Sequence, residues 1–198
     1  MRKTGLILMV LMVSFLPVAA KTEWLKARRV QMLEGEIRGG FTLPVDPYHG
    51  GKAELSLELA IEGRYNIKDT PFDCGLMLGL TTANRNFNYL WDSENAFVTQ
   101  NNRTLVLAVT GDYNFRQGRT VNPFVGTALG IGFNDTVGTR LFPSKGTSFV
   151  FMPRGGVEIA GFLRLMAEFN VCRKGYNNFA LTVGFVLGGR PKKQINNS

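Results

Sequence analysis

The sequence predicts an all-β chain: eight antiparallel strands, joined up-and-down and closed into a barrel. Two observations predict it. Apolar and polar residues alternate through one segment after another, and the connections between segments alternate between long and short. The clearest segment is AELSLELAIEGRY, residues 53–65. Leu55, Leu57, Leu59, Ile61 and Tyr65 form one series, and Glu54, Ser56, Glu58, Glu62 and Arg64 form the other. A period of two is the mark of a strand with one apolar and one polar face. A helix would also line up the glutamates, but it would scatter the three leucines around its circumference.

The other elements follow in chain order. Residues 33–43 place Leu33, Ile37, Phe41 and Leu43 against Glu34, Glu36, Arg38 and Thr42. Residues 72–82 place Phe72, Cys74, Leu76, Leu78 and Leu80 against Asp73, Gly75, Met77, Gly79 and Thr81. In residues 104–115, Leu105, Leu107, Val109, Tyr113 and Phe115 oppose Thr104, Ala108, Thr110, Asp112 and Asn114. Residues 124–133 set Val125, Leu129, Ile131 and Phe133 against Gly126, Ala128, Gly130 and Gly132. Three further strands are predicted near 147–159, 163–171 and 178–188. The connections are 44–52, 66–71, 83–103, 116–122, 134–146, 160–162 and 172–177, so the short turns share one end and the longer loops the other. Consecutive antiparallel strands of this number close most economically into a barrel.

The flanks set the compartment. MRKTGLILMVLMVSFLPVAA has a basic start at Arg2 and Lys3, an apolar stretch from Leu6 to Leu16, and small residues at Val18-Ala19-Ala20. That is the layout of a removable secretory signal, residues 1–20. Residues 21–32 are then a periplasmic N-terminal segment, 33–189 the barrel domain, and 190–198 a basic periplasmic tail. No later stretch approaches the ~18 uninterrupted apolar residues of a membrane-spanning helix. Two cysteines, Cys74 and Cys172, on separate strands near opposite ends, are expected to stay free. The formal charge of +8 has contributions from Lys26, Arg28 and Arg29 near one terminus and Arg190, Lys192 and Lys193 near the other. An exported chain is not expected to meet nucleic acid, whereas anionic head groups or sugars suit this charge.

Which face lies inside decides between two barrels. A soluble lipocalin-like carrier turns its apolar face inward; a transmembrane barrel turns it to lipid and keeps a polar lumen. Here the polar face is mostly Gly, Ala, Ser and Thr with few lysines, interrupted by Glu and Arg. Small residues suit a narrow interior, and solvated surfaces carry more lysine. The charges also pair. In VEIAGFLRLMAEFN a three-residue loop, 160–162, sets Ile159 opposite Leu163, Glu158 opposite Arg164, and Arg154 opposite Glu168. The same rule after Tyr65 sets Tyr65 opposite Phe72 and Arg64 opposite Asp73. Buried charges are tolerable only when paired. The predicted lumen network is therefore Glu36, Arg38, Glu54, Glu58, Glu62, Arg64, Asp73, Arg154, Glu158, Arg164 and Glu168. Carboxylates outnumber arginines in it, which implies perturbed protonation or trapped cations. Aromatics fall in two belts: Phe41, Phe133, Phe149, Phe169 and Phe179 towards the long loops, and Tyr65, Phe72, Tyr113, Phe115 and Phe185 towards the short turns. Interfacial girdles of a membrane barrel are arranged in this way.

The whole pattern resembles the small eight-stranded outer-membrane barrels of Gram-negative bacteria. PRGGVEIAGFLRLMAEFN (153–170), GYNNFALTVGFVLGG (175–189) and VNPFVGTALGIGF (121–133) are similar to barrel-domain proteins of Bacteroidetes. The resemblance implies an eight-stranded up-and-down antiparallel transmembrane β-barrel in the cell outer membrane. It also implies that Arg154, Glu158, Arg164 and Glu168 lie in the lumen, that outer-membrane lipid and lipopolysaccharide surround the wall, and that barrel-assembly machinery inserts it. One departure is the end of the chain, where Phe185 is followed by Leu187 and a basic tail instead of a terminal aromatic.

Function is written more faintly. A structural or surface-interaction barrel is the leading expectation, with loop 83–103 as the candidate for an extracellular ligand through Phe87, Tyr89, Trp91 and Phe97. Those aromatics serve equally to pack the loop over the barrel mouth. A lipid A-modifying enzyme would need a histidine beside a hydroxyl and a carboxylate. The single histidine, His49, sits beside Asp46 and Tyr48 in a Gly- and Pro-containing loop, so no catalytic residue is assigned. A narrow pore is a further alternative, against which eight strands leave an interior mostly filled by side chains. Asn102-Arg103-Thr104 matches a glycosylation sequon. No cluster of His, Cys and carboxylates has metal-ligand spacing, so no cofactor or metal is expected.

Overall fold

The computed structural model describes residues 31–45, 51–91, 94–138 and 145–188, with 88–91 and 94–98 described by their backbone only. The signal segment, His49 and the basic tail lie outside the described residues. The strands are β1 (Leu33–Pro44), β2 (Lys52–Ala53), β3 (Ser56–Asn66), β4 (Phe72–Trp91), β5 (Glu94–Asn114), β6 (Val121–Gly138), β7 (Gly146–Ile159), β8 (Leu163–Asn170) and β9 (Asn178–Leu187). Apart from the two-residue β2, which pairs only with β4, each strand is antiparallel to its successor. β9 then pairs back onto β1, closing eight strands into a barrel. No helix occurs among the described residues. The turns at 67–71, 115–120 and 160–162 share one end with Leu33 and Leu187.

The wall is inverted relative to a soluble protein. Leu57 and Leu59 are 60% and 62% exposed, whereas Glu58 between them and Glu62 further along β3 are each 3% exposed. Leucines, isoleucines and phenylalanines cover the outside on every long strand. An apolar surface of that extent is soluble only in hydrocarbon. The lipocalin-like alternative, which needs leucines at the centre, is overturned by this arrangement. Within the wall, adjoining strands come close at two inward glycines. At Gly130 an added Cβ would collide with the Leu107 carbonyl oxygen of β5, and at Gly156 with the Leu165 carbonyl oxygen of β8, so neither position admits a side chain without a backbone shift.

Register bears out one hairpin and corrects another. Across β7–β8, Ile159 faces Leu163, Glu158 faces Arg164 and Arg154 faces Glu168, as the odd loop requires. Ala160 and Gly161 make the turn at φ 53° and 69°. Across β3–β4, Tyr65 faces Cys74, Arg64 faces Gly75, and Asn66 faces Asp73, two residues away from the expected pairing. The cause is a tight turn in which the Ile67 amide donates to the Phe72 carbonyl (3.0 Å) and Asp69 takes φ 60°.

Segment 83–103, expected as a loop, is a hairpin. β4 and β5 remain paired from Phe72↔Tyr113 to Trp91↔Glu94, although the last β3–β4 pair is Glu58↔Thr81. The strand expected over 53–65 also divides: Lys52 and Ala53 pair with Asn86 and Arg85, and the barrel strand starts at Ser56.

Candidate functional site

The interior is built in layers. Towards the turn end, β1, β3, β7 and β8 each supply arginines and glutamates from their inward series, and β4 and β5 add Asp73 and Asp112. Arg154 on β7 reaches Glu62 on β3 through Nη1 (2.6 Å) and Nη2 (2.7 Å), and Asp112 on β5 through Nε (2.8 Å) and Nη2 (2.9 Å). Glu62 also accepts from Arg38 Nη1 and from the Thr110 hydroxyl, each at 2.8 Å. Arg38 approaches Glu168 (3.4 Å), Glu36 (3.9 Å) and Glu58 (4.0 Å). Arg64 pairs with Glu34 (3.1 Å), Glu36 (3.5 Å) and Glu158 (3.8 Å). Arg164 pairs with Glu36 (3.3 Å) and Asp112, and lies 3.6 Å over the Phe124 ring. Asn114 donates to Asp73 (2.7 Å) and Asn170 to Glu58 (3.4 Å).

These contacts differ from a ladder of directly opposed residues. Arg154 and Glu168 face each other in register, as do Glu158 and Arg164, yet both arginines form their ion pairs with other strands, Arg154 with β3 and β5 and Arg164 with β1 and β5. A guanidinium at the end of a long stem spans a narrow lumen, so it meets carboxylates on the far wall. Arg64 is likewise paired to β1 and β7 and not to Asp73 across the hairpin. Glu54 stands apart: it lies before β3, at the long-loop end, and accepts a hydrogen bond from Asn86. Glu34 and Asp112 join the network beyond the residues predicted for it. Both stand on the inward series of their segments, Asp112 as the one carboxylate on that of residues 104–115.

The lumen is not uniformly polar. Ala60, Met77, Val106, Ala108, Ala128, Val150 and Met152 form one buried apolar cluster. Beyond it an amide and hydroxyl layer follows. Gln100 donates to Asn102 (3.0 Å), Asn102 to the Gly175 carbonyl (2.8 Å), Asn134 to Ser148 (2.8 Å), and Asn178 to Thr81 (3.1 Å). Asn102, the sequon asparagine, is therefore buried in the lumen and is no surface acceptor. Tyr176 is buried in the long-loop mouth, 2.8 Å from the Thr136 hydroxyl.

The aromatics named from sequence lie on the outer wall, exposed at Phe41, Phe133, Phe149, Phe169, Tyr65, Phe72 and Phe185 and partly exposed at Phe179, Tyr113 and Phe115. Phe72 and Tyr113 pack edge-on at 5.2 Å, and Tyr113 and Phe115 at 4.9 Å. Of the four hairpin aromatics, Phe87 is buried and its ring lies against Gly51. It is thus not a free contact residue. The side chains of Tyr89, Trp91 and Phe97 lie outside the described residues. Neither Cys74 nor Cys172 forms a disulfide, and Cys74 lies on the outer wall.

No family model matches the sequence, and no curated relative does. Among solved structures, Neisserial surface protein A is similar with a TM-score of 0.53 at 13% identity, over 81% of this chain and 99% of that one. The N-terminal β-barrel domain of Pseudomonas aeruginosa OprF (TM-score 0.46, 14% identity, 80% and 100% covered) is a weaker match. So is Ail, the attachment invasion locus protein of Yersinia pestis (0.46, 12%, 78% and 99%). The likeness is one of fold: the chain is a closed eight-stranded antiparallel β-barrel of the outer-membrane kind.

Proposed function

We propose that this protein is an outer-membrane barrel whose lumen is plugged and whose activity is a structural or surface-binding one at the long-loop end. The observation that carries the reading is the interior: Arg154 joins β7 to β3 and β5 across the lumen, with a packed apolar cluster beside the charged layer. A solute would have to break several buried ion pairs to pass. The wall offers lipid contact only, which leaves the projecting β4–β5 hairpin as the place to meet a partner. A β-ribbon that runs past its neighbouring strand offers backbone for protein or glycan contact. The motifs at 121–133, 153–170 and 175–189 favour a Bacteroidetes-type member of this class. Single-channel recording of the refolded protein in planar bilayers tests the plug. Insulating bilayers are expected; large, stable conductance steps would refute the plugged reading and favour a pore.

A further inference from the structure

We infer that the outer wall holds a seat for one phospholipid of the periplasmic leaflet, centred on the facing glycines Gly35 and Gly63. The inference rests on the outer-membrane reading and on the short turns facing the periplasm.

Gly35 and Gly63 are direct partners in the β1–β3 ladder. Both belong to the outward series, Gly35 between Leu33 and Ile37 and Gly63 between Ile61 and Tyr65. A Cβ added at either would meet nothing within 4 Å. Leu187 lies opposite Gly35 on β9, and Leu76 lies opposite Gly63 on β4. The result is a furrow of about 490 Å³ across these strands, flanked by Ile37, Ile61 and Leu78 and reaching Leu107 on β5. Glu36, Glu62 and Met77 also border it, but their side chains turn into the lumen, so they offer backbone to its floor.

The site chooses its occupant by chemistry. Apolar flanks inside a hydrocarbon-facing wall favour an acyl chain, and a furrow without side chains on its floor admits one deeper than the surrounding leucines do. Gly63 is three residues from the end of β3, which puts the furrow roughly 10 Å from the turn rim. At that rim, on the turn joining β3 to β4, Lys68 is exposed and makes no ion pair among the described residues. Arg116 is exposed on the adjacent turn. Together they outweigh Asp69, so the rim above the furrow is cationic and suits the phosphate of a glycerophospholipid. A second copy of the chain fits less well. A two-fold axis compatible with a membrane runs along its normal and would bring the two Lys68 turns together at one level.

The test is native mass spectrometry of the full chain, refolded into vesicles of phosphatidylethanolamine and phosphatidylglycerol and released into mild detergent. Wild type is expected to keep one phospholipid, enriched in phosphatidylglycerol. Gly35→Leu with Gly63→Leu fills the furrow without a steric clash and is expected to lower retention at least about tenfold, the loss that about two unburied methylenes represent. Lys68→Glu, on an exposed turn, should abolish the phosphatidylglycerol preference while the chain still binds. Equal retention by wild type and the double variant would overturn the seat, and so would a wild-type dimer that the leucines disrupt. Gel mobility before and after boiling, read on the same samples, reports the barrel itself. A folded barrel without bound lipid refutes this inference alone, whereas a chain that never folds into vesicles refutes the reading beneath it.

Discussion

Arg154 shows how one side chain ties three strands together. Its guanidinium donates to both oxygens of Glu62 and both oxygens of Asp112, and it is fully enclosed. Removing one member of a buried pair leaves the others charged and unsolvated, at a cost of about 3–5 kcal/mol. Arg154→Met is therefore expected to lower stability by that order, read as the urea dependence of the folded gel band in vesicles. Glu168 is a useful contrast. One of its oxygens reaches Arg38 at only 3.4 Å, and the carboxyl of Glu58 lies beside it. Glu168→Gln is expected to cost less than about 1 kcal/mol, within the range of a modest hydrogen bond; a loss equal to that of Arg154→Met would contradict the assigned pairing. That these residues face inward was legible in the alternation of residues 53–65 and 153–170. Their partners were not, because partners depend on how the closed wall brings β3, β5 and β7 to the same level, and local spacing carries no record of closure.

At the scale of elements, parity and offset separate. An odd loop at 160–162 leaves one economical register, so β7–β8 could be placed from sequence. After Tyr65 the connection is even, registers two residues apart both keep the apolar series together, and the Ile67–Phe72 hydrogen bond with Asp69 at positive φ selects the tighter one. The β4–β5 hairpin was illegible for another reason. One face of the ribbon is buried at Ala83, Arg85, Phe87, Gln100 and Asn102, but most of those residues are polar, as are their neighbours Asn84, Asn86 and Asn101 on the other face. With no apolar series set against a polar one, the period of two leaves no mark in the sequence. Replacing residues 88–97 with Asn-Gly, a two-residue turn that suits a hairpin, joins Phe87 to Val98 where they already pair. Such a variant is expected to retain heat-modifiable mobility and membrane insertion, because every barrel ladder lies below the cut. Loss of the folded band would show that the hairpin is part of the barrel's stability and not an appendage. Ala160 supplies a gain in the opposite direction: it holds φ 53°, which costs a residue with a Cβ roughly 1–2 kcal/mol. Ala160→Gly is expected to recover up to about 1 kcal/mol after its own entropy cost, seen as a higher urea midpoint.

The molecule as a whole is defined by a reversal, with charge at the centre and hydrocarbon at the rim, and one outward position is enough to probe it. Leu59 sits mid-strand on β3, 62% exposed, between Leu57 and Ile61 on the outer series. On a water-facing wall, Leu59→Arg would be a surface exchange worth within about 0.5 kcal/mol, and it would make the protein more soluble. On a wall facing acyl chains the same substitution places a guanidinium near the middle of the bilayer, at about 2–4 kcal/mol. The neighbouring position gives the control, because Ala60 points into the apolar cluster of the lumen. Ala60→Ser changes the interior without touching lipid, and its hydroxyl is expected to cost about 1–3 kcal/mol regardless of the surrounding solvent. Folding titrations in vesicles and in detergent micelles then separate the two faces. The Leu59→Arg penalty is expected to shrink in micelles, where water and head groups come closer to the wall, while the Ala60→Ser penalty stays the same. A Leu59→Arg protein that folds in vesicles as well as wild type would mean that β3 does not face hydrocarbon, and the inverted barrel would have to be abandoned.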